Sequence, residues 1–103
     1  MTTPLMNQSA KRFYFDTPQT DKLQAFTSYG TGLLNYGTFT NTSTEDSDVT
    51  ITLNGADILY NYSVKAGAND VVPFNIVLEA GDIVYIKQSV TNAVNVSLNG
   101  SVG

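Results

Sequence analysis

Two residue types that carry much of enzyme chemistry are missing from this chain of 103 residues, which has no histidine and no cysteine. Without histidine, the commonest general base and metal ligand, neither a Ser-His-Asp nor a Cys-His arrangement can form within one chain. Without cysteine, disulfides, thiol nucleophiles and thiolate metal sites are excluded, and synthesis in a reducing compartment is favoured. We therefore expect a protein that is not an enzyme and that needs no cofactor and no metal.

Charged residues are scarce as well. They make up 14% of the chain, with five basic and nine acidic residues and a net charge of −4. Nucleic acid is not expected as a partner, because phosphate binding needs a basic surface. There is no apolar run near the roughly 20 residues of a membrane span, and the N-terminus lacks the pattern of a signal peptide. We expect a soluble protein with no membrane partner and no export signal.

The acidic residues Glu45, Asp46 and Asp48 cluster in a polar segment, residues 41–48, that is predicted to be a solvent-facing loop. Oxygen ligands suit calcium, so these carboxylates with the Asn41 carbonyl form one candidate site, although their spacing matches no EF-hand loop. The plainer interpretation is a charged loop tip that discourages association. A glycosidase-type acid pair is formally possible but has no support in the pattern.

The clearest structural signal is the stretch Val72–Ile86, in which two alternating apolar runs are joined by Glu79-Ala80-Gly81-Asp82. A period of two is typical of a strand with one buried face. Gly81 can supply the positive φ of a tight turn, so the pattern predicts a β-hairpin. The residues predicted to face inward in its first strand are Val72, Phe74, Ile76 and Leu78.

A second hairpin is predicted around Asn54-Gly55, the strongest short-range hairpin signal in the sequence. A two-residue turn pairs Leu53 with Ala56. It also pairs Ile51 with Ile58 and Val49 with Tyr60. The residues predicted to face inward in the return strand are Ile58, Tyr60, Tyr62 and Val64.

Short strands at regular spacing, without helical periodicity, predict an all-β antiparallel β-sandwich of about six to eight strands, jelly-roll or Ig-like. Residues 1–31 are predicted to be an N-terminal arm or edge strands, and residues 32–103 the sandwich domain. The strands from Leu34 onward make a marginal core, because small domains bury little surface. Packing from residues 11–28, or from other subunits, is expected to compensate.

Several large apolar residues fall on strand faces assigned to solvent. A two-sided apolar strand is either covered by another layer of the same chain or part of an interface. In the aromatic run before Asp16, Phe13 and Phe15 are predicted to share one face with Tyr14 opposite, either as an edge strand or as an arm reaching a neighbouring subunit. The predicted partner-contact residues are Phe13, Tyr14, Phe15, Leu59, Val77, Ile83 and Tyr85.

The order of motifs from Gly32 to Gly103 resembles the small β-sandwich accessory proteins of tailed-bacteriophage virions. These are capsid decoration (cement) proteins and modules of head or tail fibres. The resemblance lies in an Ile-Val-Leu-Xaa-Ala-Gly-Asp turn at 76–82 and an Asn-Ala-Val-Asn-Val closing strand at 92–96. The positions that match the hallmark, and that the resemblance implies are fold-determining, are Leu78, Gly81, Asp82, Val94 and Val96.

The resemblance implies a non-enzymatic, multi-copy structural protein on the capsid exterior, assembled in the host cytoplasm. Its expected partners are the major capsid protein, whose subunits it would bridge, and further copies of itself, as a trimer. The alternative is a tail- or fibre-associated module that binds host-surface carbohydrate, through a tyrosine such as Tyr29 or Tyr36, or another virion protein.

Overall fold

The computed structural model describes residues 9–103. These residues form eight strands joined by turns and short loops, and none of them forms a helix that could span a membrane. The strands are β1 (Ser9–Asp16), β2 (Leu23–Thr27), β3 (Gly32–Asn41), β4 (Ser47–Leu53), β5 (Ala56–Val64), β6 (Asn69–Leu78), β7 (Ile83–Gln88) and β8 (Val94–Val102).

The strands form two four-stranded antiparallel sheets. Sheet A has the order β1-β8-β3-β6 and sheet B the order β2-β7-β4-β5. The chain passes repeatedly from one sheet to the other, and only β4 and β5 are both consecutive in sequence and paired. This is the eight-stranded jelly roll. The predicted antiparallel β-sandwich is confirmed, and of its two variants the strand order selects the jelly roll.

The hairpin predicted for Val72–Ile86 is wrong. β6 pairs with β3 in sheet A, whereas β7 pairs with β2 and β4 in sheet B. The turn at 79–82 therefore carries the chain across the core from one sheet to the other. Two strands that face each other across a core show the same alternation as two that pair side by side, so the pattern could not separate these cases. Gly81 does have the predicted positive φ, +93°.

The β4–β5 hairpin forms, but its predicted register holds only beside the turn. Leu53 is opposite Ala56, and two β-bulges then place Ile51 opposite Leu59 and Val49 opposite Tyr62. Tyr60 is consequently 71% exposed and does not face inward as predicted. Asn61 adopts a left-handed φ of 46°, and its N–H donates to the Thr50 hydroxyl oxygen at 3.0 Å. Each bulge adds one residue to β5. The residues of β5 that face the core therefore differ from those that simple alternation predicts.

The core lies between the sheets. Its fully buried members include Leu78, Val94 and Val96, three of the hallmark positions. β1 and β2 complete the two sheets as edge strands, and four of their residues pack against the core, namely Phe13, Tyr14, Ala25 and Phe26. Residues 11–28 thus supply the additional packing that was expected of them. The predicted arm also includes residues 1–8, which lie outside the described residues.

β8 runs through Asn99-Gly100 and continues to Val102. One predicted boundary needs correction. The segment 41–48 is not wholly a solvent-facing loop, since Asn41 and Ser47 are buried at its ends. The Asn41 amide donates to the carbonyl oxygens of Glu45 (2.8 Å) and Val64 (2.9 Å). A polar side chain can be buried when its hydrogen bonds are satisfied. The polar composition of residues 41–48 therefore did not require the whole segment to face solvent.

Candidate functional site

The outer face of sheet A, the side turned away from the core, is assembled from residues that lie opposite one another across all four strands. The strand registers give three rows across the sheet. In the order β1, β8, β3, β6, the rows are Phe15, Ser97, Thr38, Val71; then Arg12, Asn99, Tyr36, Pro73; and then Ala10, Ser101, Leu33, Val77. The face therefore has a polar strip along β8, with apolar side chains on the strands to either side.

This face carries much of the exposed apolar surface of the described chain. Seven large hydrophobic side chains are exposed among residues 9–103, and four of them, Phe15, Tyr36, Val71 and Val77, lie here. Val71 and Val77 are 67% and 62% exposed. The guanidinium of Arg12 lies 5.1 Å from the centre of the Phe15 ring, a cation–π contact that covers part of one aromatic face. These exposed side chains lie at both edges of the sheet and make its outer face a candidate interaction surface.

A β-bulge rearranges the predicted faces of β1. Arg12 is opposite Asn99 and Tyr14 is opposite Leu98, so Phe13 is the extra residue. Phe13 and Tyr14 both pack against the core, and Phe15 alone of the three is exposed, at 65%. The prediction that Phe13 and Phe15 share one face is therefore wrong. Burial, and secondarily the charge of Asp16, raises the pKa of Tyr14 to about 12.

On the outer face of sheet B, polar side chains contact one another and shield part of the sheet from solvent. Thr52 donates a hydrogen bond of 2.6 Å to Asp57, and Lys22 reaches the same carboxylate at 3.6 Å. Thr50 and Thr52 are only 2% and 4% exposed, although they lie on this outer side. Ile83 and Tyr85, predicted here as partner contacts, are half-buried.

Leu59 was predicted to face outward, and it packs against the core because of the bulges in β5. Among the predicted contact residues, only Phe15 and Val77 are strongly exposed, and both lie on the outer face of sheet A. Whether any of the seven touches a partner stays a prediction. Val71 was missed, although the alternation around its inward neighbour Val72 places it on the outer side.

The acidic loop does not gather metal ligands. Within residues 9–103, no group of three or more acidic side chains is close enough to hold an ion. Asp46 instead accepts the Ala66 N–H at 2.9 Å and pairs with Lys65 at 3.4 Å. These contacts, the backbone hydrogen bond first, lower the pKa of Asp46.

The other carboxylates with a shifted pKa are also held ionised. The pKa of Asp57 is lowered chiefly by the Thr52 hydroxyl, and that of Asp82 by the Glu79 N–H and then by the Asn54 amide. A carboxyl group that acts as a general acid near neutral pH needs a raised pKa. These side chains therefore act as fixed hydrogen-bond acceptors in turns and between strands.

No protein-family model and no curated protein matches the chain. Solved structures with a similar fold do exist. One is a chain of the crystal structure of the T13 viral particle of infectious bursal disease virus, with a TM-score of 0.55 and 14% identity over 92% of this chain. Another is a chain of the Gt strain of that virus, with a TM-score of 0.50 and 16% identity over 91% of this chain.

The likeness covers 30% and 29% of the two viral chains, so this chain spans about a third of their length. At such low identity the likeness concerns the fold alone. Chains of these viral particles contain a fold similar to the jelly roll of residues 9–103.

Proposed function

We propose that this chain is a non-enzymatic structural protein of a viral particle. The observation that carries the proposal is the strand order, β1-β8-β3-β6 facing β2-β7-β4-β5, in a fold shared with chains of infectious bursal disease virus particles. The lack of histidine and cysteine supports the same role, since it leaves few residue types for catalysis. One fold can serve many functions, so the function depends on the surface that the fold presents.

The contact surface in this proposal is the outer face of sheet A. It offers Val71, Val77 and Phe15 as exposed apolar groups, with a hydroxyl and amide strip between them. Neutral polar groups between apolar ones suit a protein–protein contact, because charged residues are depleted at interface cores. Arg12 is the one charged residue in the three rows, and it lies at the β1 edge.

The more specific form of the proposal is a decoration protein of a tailed-phage capsid that bridges major capsid subunits on the exterior. The positions of the hallmark residues support this form of the proposal: Leu78, Val94 and Val96 are buried, and Gly81 and Asp82 lie in the crossing turn. A trimer would present three such faces at once, and multivalent attachment raises avidity without new contacts.

Rebinding to particles depleted of the chain tests the contact surface. In the variant Val71→Asp/Val77→Asp, two carboxylates lie on the outer face of sheet A and must be desolvated on docking. We expect at least a tenfold loss of particle binding, measured by co-sedimentation, with an unchanged circular dichroism spectrum. Tyr60→Asp is the matched control, because Tyr60 is equally exposed but lies on β5 of sheet B.

Undiminished binding of the double variant would remove the outer face of sheet A from the proposal. Binding lost equally in the Tyr60→Asp control would show that added negative charge, and not the docking face, is responsible.

A further inference from the structure

A cleft opens along one side of the sandwich, where edge strand β1 of sheet A lies beside edge strand β2 of sheet B without pairing to it. The Phe13 and Phe26 rings stack across this side with centroids 5.0 Å apart and planes at 20°. The cleft has a volume of about 560 Å³, within the range of small-molecule sites. Its lining includes Lys11, Arg12, Gln24, Thr27 and Tyr29 as well as these two rings.

The cleft gathers positive charge in a chain whose net charge is −4. The ion pairs within residues 9–103 are Lys22–Asp57 and Lys65–Asp46, so neither Lys11 nor Arg12 is paired with a described carboxylate. Lys11 lies opposite Gly100, on the inward side of β1 that borders the cleft. Two cations without carboxylate partners favour an anionic group in this position.

An aromatic ring stands at the rim of the cleft. Tyr29 is 93% exposed, and the turn that carries it is fixed by hydrogen bonds on both sides. The Ser28 N–H donates to Asp82 O at 2.8 Å, and the Gly81 N–H donates to Ser28 O at 2.7 Å. The Ser28 hydroxyl closes the turn by donating to Gly30 O at 2.6 Å. These hydrogen bonds fix the backbone that carries Tyr29, so the turn itself need not be ordered on binding.

We propose that this cleft binds an anionic saccharide, with a carboxylate or sulfate group at Lys11 and Arg12 and a sugar face stacked on Tyr29. Gln24 and Thr27, which are hydrogen-bonded to each other at 2.6 Å, supply an amide and a hydroxyl for sugar hydroxyl groups. Arg12 belongs to both surfaces, since it lies in a row of the outer face of sheet A and also lines the cleft. The other groups in the proposal lie on the β1–β2 side, so the proposal does not depend on a role in a particle.

The edge strands argue against an acidic peptide as the ligand. A peptide that adds a strand needs a regular edge with evenly spaced N–H and C=O groups. β1 is interrupted by the bulge at Phe13, and β2, only five residues long, is interrupted by a register shift between Gln24 and Phe26. A compact ligand that is bound by side chains suits these edges better.

A glycan array of carboxylated, sulfated and neutral saccharides, probed with the whole chain, tests the proposal. We expect binding to acidic saccharides only, and weaker binding at higher salt because charged contacts are screened. In titrations with the strongest array ligand, Lys11→Gln and Tyr29→Ala should each lower the affinity at least tenfold. The matched controls Lys65→Gln and Tyr60→Ala, at exposed sites outside the cleft lining, should change it less than twofold.

Three results would overturn the proposal. The first is an array with no acidic saccharide bound. The second is an acidic saccharide bound with equal affinity by the parent chain and by both cleft variants. The third is a hexaglutamate peptide bound more tightly than any saccharide, which would assign the cleft to acidic peptides instead.

Discussion

Gly100 of β8 packs tightly against the neighbouring strand β3 in the middle of sheet A. A Cβ atom at this position would overlap the carbonyl oxygen of Leu33 and lie 2.9 Å from the Phe13 ring. Neither neighbour can give way easily, because one is backbone in a central pair of strands and the other is stacked on Phe26. Only glycine fits this position.

We predict that Gly100→Ala lowers the free energy of unfolding by about 3 kcal/mol or more, because overpacking forces backbone shifts. Urea denaturation followed by circular dichroism measures the change. Gly55→Ala is the control, since nothing lies within 4 Å of a Cβ atom at Gly55. If the two variants prove equally stable, the close approach of Gly100 to Leu33 is wrong.

Tyr14 is the residue whose burial should be visible in a titration. Its pKa is raised to about 12, so the folded chain keeps this proton at pH values where the unfolded chain, with a tyrosine pKa near 10, has lost it. The contribution of Tyr14 to stability is therefore complete below pH 10 and is lost as the pH rises towards 12.

We predict that stability falls between about pH 10 and pH 12 in the parent chain and falls less steeply in Tyr14→Phe. Denaturant midpoints across this pH range, together with tyrosinate absorbance, provide the measurement. An equally steep fall in both proteins would contradict the burial of the Tyr14 hydroxyl group.

At the scale of the elements, Gln88 at the end of β7 connects segments from both sheets. Its side chain is 1% exposed and its hydrogen-bonding capacity is fully used. The amide oxygen accepts the Ser47 hydroxyl and the Val94 N–H, each at 2.9 Å, while the amide nitrogen donates to the carbonyl oxygens of Pro18 and Val94. The buried hydrogen bonds fix the end of β7 against three other segments. These are the start of β4, the chain after β1 and the start of β8.

We predict that Gln88→Leu destabilises the chain by about 3 kcal/mol or more, because it leaves buried donors and acceptors unsatisfied. Thermal and urea unfolding test this. Gln24→Leu serves for comparison, since Gln24 is exposed and makes one side-chain hydrogen bond, to Thr27. Equal losses in the two variants would show that the Gln88 network does not contribute as described.

The positions of the strands in the sequence were largely predictable, whereas the pairing of strands within the two sheets was not. The alternation in β6 and β8 correctly placed Leu78, Val94 and Val96 in the core. Asn54-Gly55 correctly predicted the one hairpin that joins consecutive strands within residues 9–103. The sheet to which a strand belongs depends on packing between distant segments, which a period of two does not encode. The bulges at Phe13 and Asn61 depend likewise on contacts with neighbouring strands and are not visible in a single sequence.

At the scale of the whole molecule, the sandwich presents two surfaces of different character. The outer face of sheet A is largely apolar at its sides and neutral along its centre. The β1–β2 side holds a cleft lined by Lys11 and Arg12, which pair with no carboxylate of the described residues. Phe15 and Val77 could be predicted from alternation and side-chain size. Val71 follows from the same alternation, although it was missed. The cleft could not be assembled from the sequence, because it depends on which strands become neighbours.

Quantitative mass spectrometry of purified particles tests whether the chain is a structural component of a particle, which is the claim of the proposed function. Particles from the cells in which the chain is naturally made would be purified by density gradient, and the ratio of this chain to the main shell protein measured. We predict a fixed ratio that persists through repeated gradients. Its absence from intact particles, or a ratio that declines with each purification step, would contradict the claim.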